Sequence, residues 1–403
     1  MTQTTIARDC EGGEHELVAR ARELRPLLSK NSADTDRLRR LPEENVEAMR
    51  EAGIFRMWQP RRYGGYEADM GTSIDIISEL AKGCGSSSWV AALINSCAWL
   101  ISLFSEEAQD EIYGNDPEAR ICGVLSPAGV AKPVADGYRL SGSWGFASGC
   151  LHSNWATVVA PIVGDDGNLI NVGHAAVRMS EVHVKDTWYT VGMRGTGSNT
   201  IVADDLFVPE HMMRHLVGPS GAMDAPILNP YPEETVYRVD LGPLASLCLI
   251  APALGLARSM VDLALEQLPR RSIAYTTYQQ QTQAVPTQLE IAEALTRLDA
   301  AEALIRRAAT DADRAATTGN GLDMLGRARV RADVGWATRT FREVAEIVVQ
   351  MCGASSMGEI NHMQQIYRDL QTATLHALLR PSLMLEVYGR VLCGLEPQVS
   401  LVL

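Results

Sequence analysis

The hydrophobic pattern of this chain changes period twice, which restricts its fold more than any other feature. From residue 13 to about 120 the apolar positions recur at helical spacing. Between about 121 and 210, Gly-punctuated stretches such as GYRLSGSWGFASG, WATVVAPIV, HAAVRM and NTIVADDLFV alternate instead, which is the period of antiparallel strands. A Gly- and Pro-rich segment at about 217–235 reads as a linker, and the helical period then returns. In one of the later helices Val334, Ala337, Phe341, Val344, Val348 and Met351 form a continuous apolar stripe; Leu295, Leu298, Ile305 and Ala309 do the same on the preceding helix. The chain has 403 residues, enough for two or three domains. The expectation is an α+β protein: an N-terminal helical domain (1–120), a central antiparallel β domain (121–232) and a C-terminal helical bundle (233–403).

Local signals place the elements. Leu41-Pro42-Glu43-Glu44 opens a helix with acids in its first turn, and Gly53 lies near its end. GIFRMWQPRRYGGYE reads as a loop, a helix follows from about Met70, and Ser86-Ser87-Ser88 are candidate caps for a strongly apolar one. Asp165-Asp166-Gly167-Asn168 is a hairpin turn, and Gly353 ends the Val334 helix.

Several function classes are disfavoured. A formal net charge of -13 opposes a nucleic-acid surface. Eight scattered cysteines without a C-x-x-C pair, and an N-terminus without an apolar h-region, predict a cytoplasmic protein with free, mostly buried thiols. The run Ala91–Phe104 is too short to span a membrane, and Leu241–Ala257 carries Gly242, Pro243, Pro252 and Gly255, which suits a close-packed core helix. GTGSNT opens like a dinucleotide fingerprint, but a strand rather than a helix is predicted after it. His211 and His215 have metal-ligand spacing without a third ligand nearby, and read as a surface turn. No G-x-S-x-G elbow occurs.

Four segments, in this order, carry a resemblance: GIFRMWQPRRYGG, GYRLSGSWGFASG, GMRGTGSNTIVADDLFVPE and RDLQTATLHALLRP. Together they resemble the acyl-CoA dehydrogenase superfamily over nearly the whole chain. The resemblance implies that family's fold, with a C-terminal four-helix bundle and packing into homotetramers. A dehydrogenase of this family uses a Glu to remove the substrate α-proton. Counting along from the motifs, its two alternative positions are Ala377 and Ala245 here. The missing carboxylate, with His376 beside it, makes the chain look like the two-component flavin monooxygenase branch. That branch takes reduced FMN or FAD from a separate reductase, adds O2 to form a C4a-hydroperoxide in a dry pocket, and passes one oxygen atom to substrate.

The resemblance assigns candidate roles residue by residue. Ser148 matches the hydroxyl set against flavin N5. His376 matches a C-terminal histidine near C4a and substrate, acting as acid/base or orienting the peroxide. Asn95 stands on the helix where several relatives carry a second histidine, and is expected to line the substrate side. Trp144 and Phe146 are read as ring-lining or as core; Ser126 joins the cofactor-binding set. Arg194, Thr196, Ser198 and Arg271 are expected to serve the cofactor, the arginines as phosphate donors, while the Gly353 turn is expected to reach a neighbouring subunit's cofactor. The implied substrate is a natural-product intermediate, aromatic and polyketide-like. Alternatives are an N-oxygenase of an amino sugar or amine, an acyl-CoA dehydrogenase or oxidase with an unconventional base, and a non-catalytic scaffold.

Overall fold

A computed structural model describes residues 14–217, 231–319 and 321–397. The expected linker at 217–235 lies largely outside these described residues.

Among the described residues six α-helices precede the sheet: α1 (Glu16–Lys30), α2 (Ser32–Leu38), α3 (Glu43–Glu51), α4 (Met70–Ala81), α5 (Gly85–Ile101) and α6 (Glu106–Tyr113). Acids Glu43 and Glu44 occupy the first turn of α3, and Gly53 turns the chain beyond it with φ of 76°. The serine cap expected for α5 is corrected. Cys84 is its N-cap without a side-chain bond, so Ser86, Ser87 and Ser88 lie within the first turn. Ser88 Oγ instead donates to the Ile77 carbonyl at 2.7 Å, fastening α5 to α4.

The sheet contains β1 (Ile121–Val124), β2 (Val130–Val134), β3 (Gly137–Ala147), β4 (Trp155–Val163), β5 (Leu169–Arg178), β6 (His183–Lys185), β7 (Asn199–Pro209) and β8 (Met213–His215). Its strand order is β6-β7-β3-β2-β4-β5-β8, with β1 beside β4. The expected antiparallel pairing holds for most neighbours, but β1 and β2 each meet β4 in parallel. The β2–β3 hairpin supplies the crossover that a parallel pair requires. The Asp165–Asn168 turn joins β4 to β5, with Gly167 at φ of 78°.

Five α-helices follow among the described residues: α7 (Leu241–Gln267), α8 (Val285–Thr318), α9 (Met324–Cys352), α10 (His362–Ala373) and α11 (Pro381–Leu392). The Val334 stripe of α9 is buried throughout, and α9 packs on α7, α8 and α11. Helix α7 is long and apolar enough to cross a membrane by composition, yet 83% of its most apolar window is buried inside the protein. It is the central core helix. Gly353 closes α9 at φ of 69° and ψ of −175°, a combination open essentially to Gly alone.

The hydrophobic interior does not follow the chain order. One cluster joins α1, α4 and most of α5 with α7–α11; a second unites the sheet with α6 and the end of α5. Helix α5 belongs to both, so its exposed options are few and its side chains bridge sheet and bundle. Six described cysteines are buried, and burial raises the Cys97 and Cys248 thiols to about 12, which leaves them unreactive.

Helices α4 and α7 approach closely at Gly255, where a Cβ would stand 2.2 Å from the Ser78 carbonyl oxygen. The obstacle is backbone, so neither helix can yield without moving the other. Gly255→Ala is expected to destabilise the protein by about 1–3 kcal/mol, measured as a lowered thermal unfolding midpoint.

Candidate active site

The candidate site forms where α5, the ends of β3 and β7, and the α10–α11 connection meet. Ser148 follows β3, and Ser198 precedes β7. Strands β3 and β7 pair antiparallel, and that pairing brings the two hydroxyls to 2.7 Å. Thr196 Oγ1 lies 2.7 Å from Ser198 and donates to the Met193 carbonyl at 2.9 Å. From α5, the Trp89 indole N–H donates to Ser148 Oγ at 3.1 Å. Ser148, Thr196 and Ser198, expected as separate cofactor contacts, are thus one buried chain of hydroxyls.

His376 lies in the connection between α10 and α11. It caps the short 3-10 turn Ala377–Leu379 between α10 and α11, where Nδ1 accepts the Leu378 N–H at 3.2 Å. A neutral ring that accepts at Nδ1 carries its proton on Nε2. Burial pushes its pKa down to about 4, so the ring is neutral at physiological pH. The imidazole packs against Trp89, with ring centroids 5.7 Å apart. Trp89 therefore touches both His376 and Ser148. Sequence reasoning missed it, and only one weak signal was present: a Trp in an apolar helix needs an acceptor for its N–H.

The segment that carries Thr196 and Ser198 is clamped by Arg368 and Asp369 of α10. Arg368 donates to the Val191 carbonyl and to Asp36, while the Met193 N–H donates to Asp369. Met193 sits at φ of 52° and Phe146 at 65°, both strained for non-Gly residues. Such strain concentrates at functional sites, where surrounding contacts hold it.

Phe146 lies within the register shift between Trp144 and Ala147, and its ring faces outward, 76% exposed, beside Trp188. Trp188 was also missed. Of the two readings open for the aromatic pair, Trp144 takes the core one, and Phe146 is left exposed. Trp144 is 1% exposed and donates to the Val159 carbonyl at 2.8 Å.

The substrate-side expectation for Asn95 is corrected. It is fully buried, its amide hydrogens go to the Ile54 and Ala91 carbonyls, and its Oδ1 accepts the Trp58 N–H. Asn95 ties the loop after α3 to α5 and has no donor left for substrate. Arg194 spends Nε on the Asp36 carbonyl and Nη1 on the Thr190 carbonyl, both at 3.0 Å, so it pins α2 to the loop. Ser126 is exposed in the β1–β2 connection. Arg271 and the Gly353 turn do come together: its guanidinium donates to the Cys352 carbonyl and, at 2.7 Å, to Ser355 Oγ. His211 bonds Glu111 and His215 bonds Tyr138, so the pair shares no centre. The strand expected after GTGSNT is β7.

These residues fit a flavin. An outward aromatic face at Phe146 suits a planar ring, Ser148 keeps one hydrogen-bonding position beyond Trp89 and Ser198, and the Arg271–Ser355 corner offers donors to a phosphate. Ala377 is exposed and Ala245 half-buried on α7, so no carboxylate stands at either position of a dehydrogenase base. Fold and site together define a flavoenzyme of oxygen chemistry rather than of α-proton abstraction.

Comparison with known proteins agrees. The family profile for the acyl-CoA dehydrogenase N-terminal domain matches residues 14–115, and that for its C-terminal domain matches residues 247–381. The flavin-dependent monooxygenase oxygenase subunit HsaA of Rhodococcus jostii is 31% identical, covering 91% of this chain and 95% of its own. The oxygenase component of p-hydroxyphenylacetate 3-hydroxylase from Acinetobacter baumannii is 27% identical, covering 96% and 91%. XiaF from a Streptomyces species, solved with FADH2 and glycerol, superposes with a TM-score of 0.91 at 34% identity, covering 96% and 97%. The chain belongs to the acyl-CoA dehydrogenase superfamily, as an oxygenase component of its two-component flavin-dependent monooxygenases. Flavin is its cofactor, dioxygen its co-substrate, and a separate reductase its partner.

Asp369 offers a test of the clamp. Burial raises its carboxyl pKa to about 7, despite the Met193 N–H. A carboxyl raised in the folded state contributes stability below its unfolded pKa, and that contribution is lost as pH rises through about 7. Asp369→Asn keeps an acceptor for Met193 and removes the titration. The stability advantage of Asp369→Asn over the parent is therefore expected to grow from pH 4 to about 7 and level off above it, as followed by thermal midpoints across buffers.

Proposed function

We propose that this chain hydroxylates an aromatic substrate, using reduced FAD from its reductase and dioxygen. The observation that carries the reading is the junction of neutral His376, Trp89 and Ser148 beside the exposed Phe146 ring. The relative named for p-hydroxyphenylacetate and the relative solved with FADH2 support the substrate class and the flavin form. Bound reduced flavin would supply two electrons to dioxygen, of which one oxygen atom goes to the substrate and the other leaves as water.

The protein's own part follows from its residues. Phe146 and Trp188 offer an aromatic wall for the ring, and Ser148 presents an oxygen to its N–H edge. Arg271, with Ser355 and the Gly353 turn, forms the corner for a phosphate group, whether of its own or a neighbouring subunit's cofactor. Trp89 excludes water on the α5 side by packing on His376.

His376 acts as a donor rather than a base. Its proton lies on Nε2, while the acceptor nitrogen is occupied by Leu378, so Nε2–H orients an oxygen of substrate or co-substrate. A base that lifts a proton at pH 7 would need a free nitrogen and a pKa near that pH. Neither is present at His376.

The natural-product character of the substrate extends this reading, and we place the protein in the cytoplasm as a homotetramer. Support for assembly comes from Tyr275 and Ile360, fully exposed large side chains on the connections flanking the Arg271 corner.

Reductase-coupled turnover under labelled dioxygen is expected to place one labelled atom in an aromatic product; a dehydrogenated product without label would refute the proposal. His376→Ala should keep flavin binding and lower product formed per dioxygen consumed by about tenfold, comparable with the loss of one hydrogen bond. Because the His376 pKa lies at about 4, this coupling should show no limb near pH 6.5 between pH 5.5 and 8.5. A titrating limb there that disappears in His376→Ala would restore the base role.

A further inference from the structure

The hydroxyl chain has a direction, and that direction decides which redox state of the cofactor Ser148 favours. One end is the Trp89 indole N–H, which can only donate. The other end is the Met193 carbonyl, which can only accept. Between them stand Ser148, Ser198 and Thr196, with spacings of 3.1, 2.7, 2.7 and 2.9 Å along the four contacts. The indole and the hydroxyls together own four hydrogens, one for each contact. Reversing any hydroxyl would leave two oxygens facing each other with no hydrogen between them. Donation therefore runs from Trp89 to Ser148, to Ser198, to Thr196, to Met193.

Ser148 accordingly spends its hydrogen on Ser198, receives one from Trp89, and keeps a single lone pair. We propose that Ser198 and Thr196 are positioning residues that lock Ser148 as an acceptor, so that the site selects a flavin whose N5 bears hydrogen over one whose N5 is bare. This inference rests on the assignment of Ser148 to the flavin N5 edge. Neither Ser198 nor Thr196 needs to touch the cofactor: both are buried, and they act through the orientation of one proton. The Met193 carbonyl itself does not depend on Thr196 Oγ1. It also accepts the Trp188 indole N–H at 2.9 Å and the Thr196 N–H at 3.2 Å, so removing the hydroxyl orphans no backbone group.

Thr196→Val keeps the shape and removes the terminal hydroxyl. The Ser198 hydrogen then turns towards Ser148, and the Ser148 hydrogen is released to donate outward. Binding of FAD and of anaerobically reduced FAD to the whole protein is measured by fluorescence or calorimetric titration. In Thr196→Val the preference for reduced over oxidised FAD is expected to fall about tenfold, through both weaker reduced and tighter oxidised binding. The bound midpoint potential should drop by about 30 mV for a tenfold change in a two-electron couple. Thr196→Ser, which keeps the hydroxyl, should restore the parent preference. Ser148→Ala should weaken only the reduced form, by about three- to tenfold. Unchanged affinities for both forms in Thr196→Val, with normal flavin binding by the parent and a reduced-form loss in Ser148→Ala, would overturn the relay while leaving the flavin assignment intact. No binding of either form by the parent would overturn both.

Discussion

The peptide unit of Met193 is the point on which the site depends. Its N–H is held by the buried carboxylate of Asp369, and its carbonyl receives the Trp188 indole and the Thr196 hydroxyl. Through that one peptide, α10 of the bundle fixes a loop of the sheet, and the loop fixes the hydroxyl chain reaching Ser148. The strained φ of Met193 persists because these contacts over-determine it. Arg368 completes the grip by holding Val191 and Asp36. The Arg-Asp pair is thus a structural device that couples domains, and its buried carboxyl costs stability once ionised.

A second constraint is the double allegiance of α5. The helix lies in both hydrophobic clusters, so almost all of its side chains are committed to packing. Asn95 shows the consequence: a polar residue on the expected substrate-facing helix is consumed by three backbone partners. Trp89 is buried as well, but near the start of the helix it meets the end of β3 on one side and the α10–α11 connection on the other. With no histidine on α5, the imidazole that packs on Trp89 is His376, whose Nδ1 is occupied by the Leu378 N–H.

Much of the architecture was legible because it depends on period. The Val334 stripe, the alternating strands, the Asp165–Asn168 hairpin and the Gly353 stop are local patterns, and each appears in place. The errors arose where partners were distant. A serine run looks like a cap until Ser88 is seen bonding Ile77 on the preceding helix. Parallel pairing of β1 with β4 depends on a crossover that no alternation pattern encodes. Arg194, expected as a phosphate donor, directs two of its N–H groups to the Asp36 and Thr190 carbonyls, partners that lie in other elements.

The sequence by itself determined the order of elements, the flavin-family motifs and the empty glutamate positions at Ala377 and Ala245, because these are properties of residue type and spacing along one chain. The tertiary structure alone decided which hydroxyls touch, which nitrogen of His376 holds the proton, and that Trp89 joins Ser148 to His376. Hydrogen-bond direction depends on donors and acceptors brought together from α5, β3, β7 and α10, and proximity of that kind leaves no periodic trace in the order of residues.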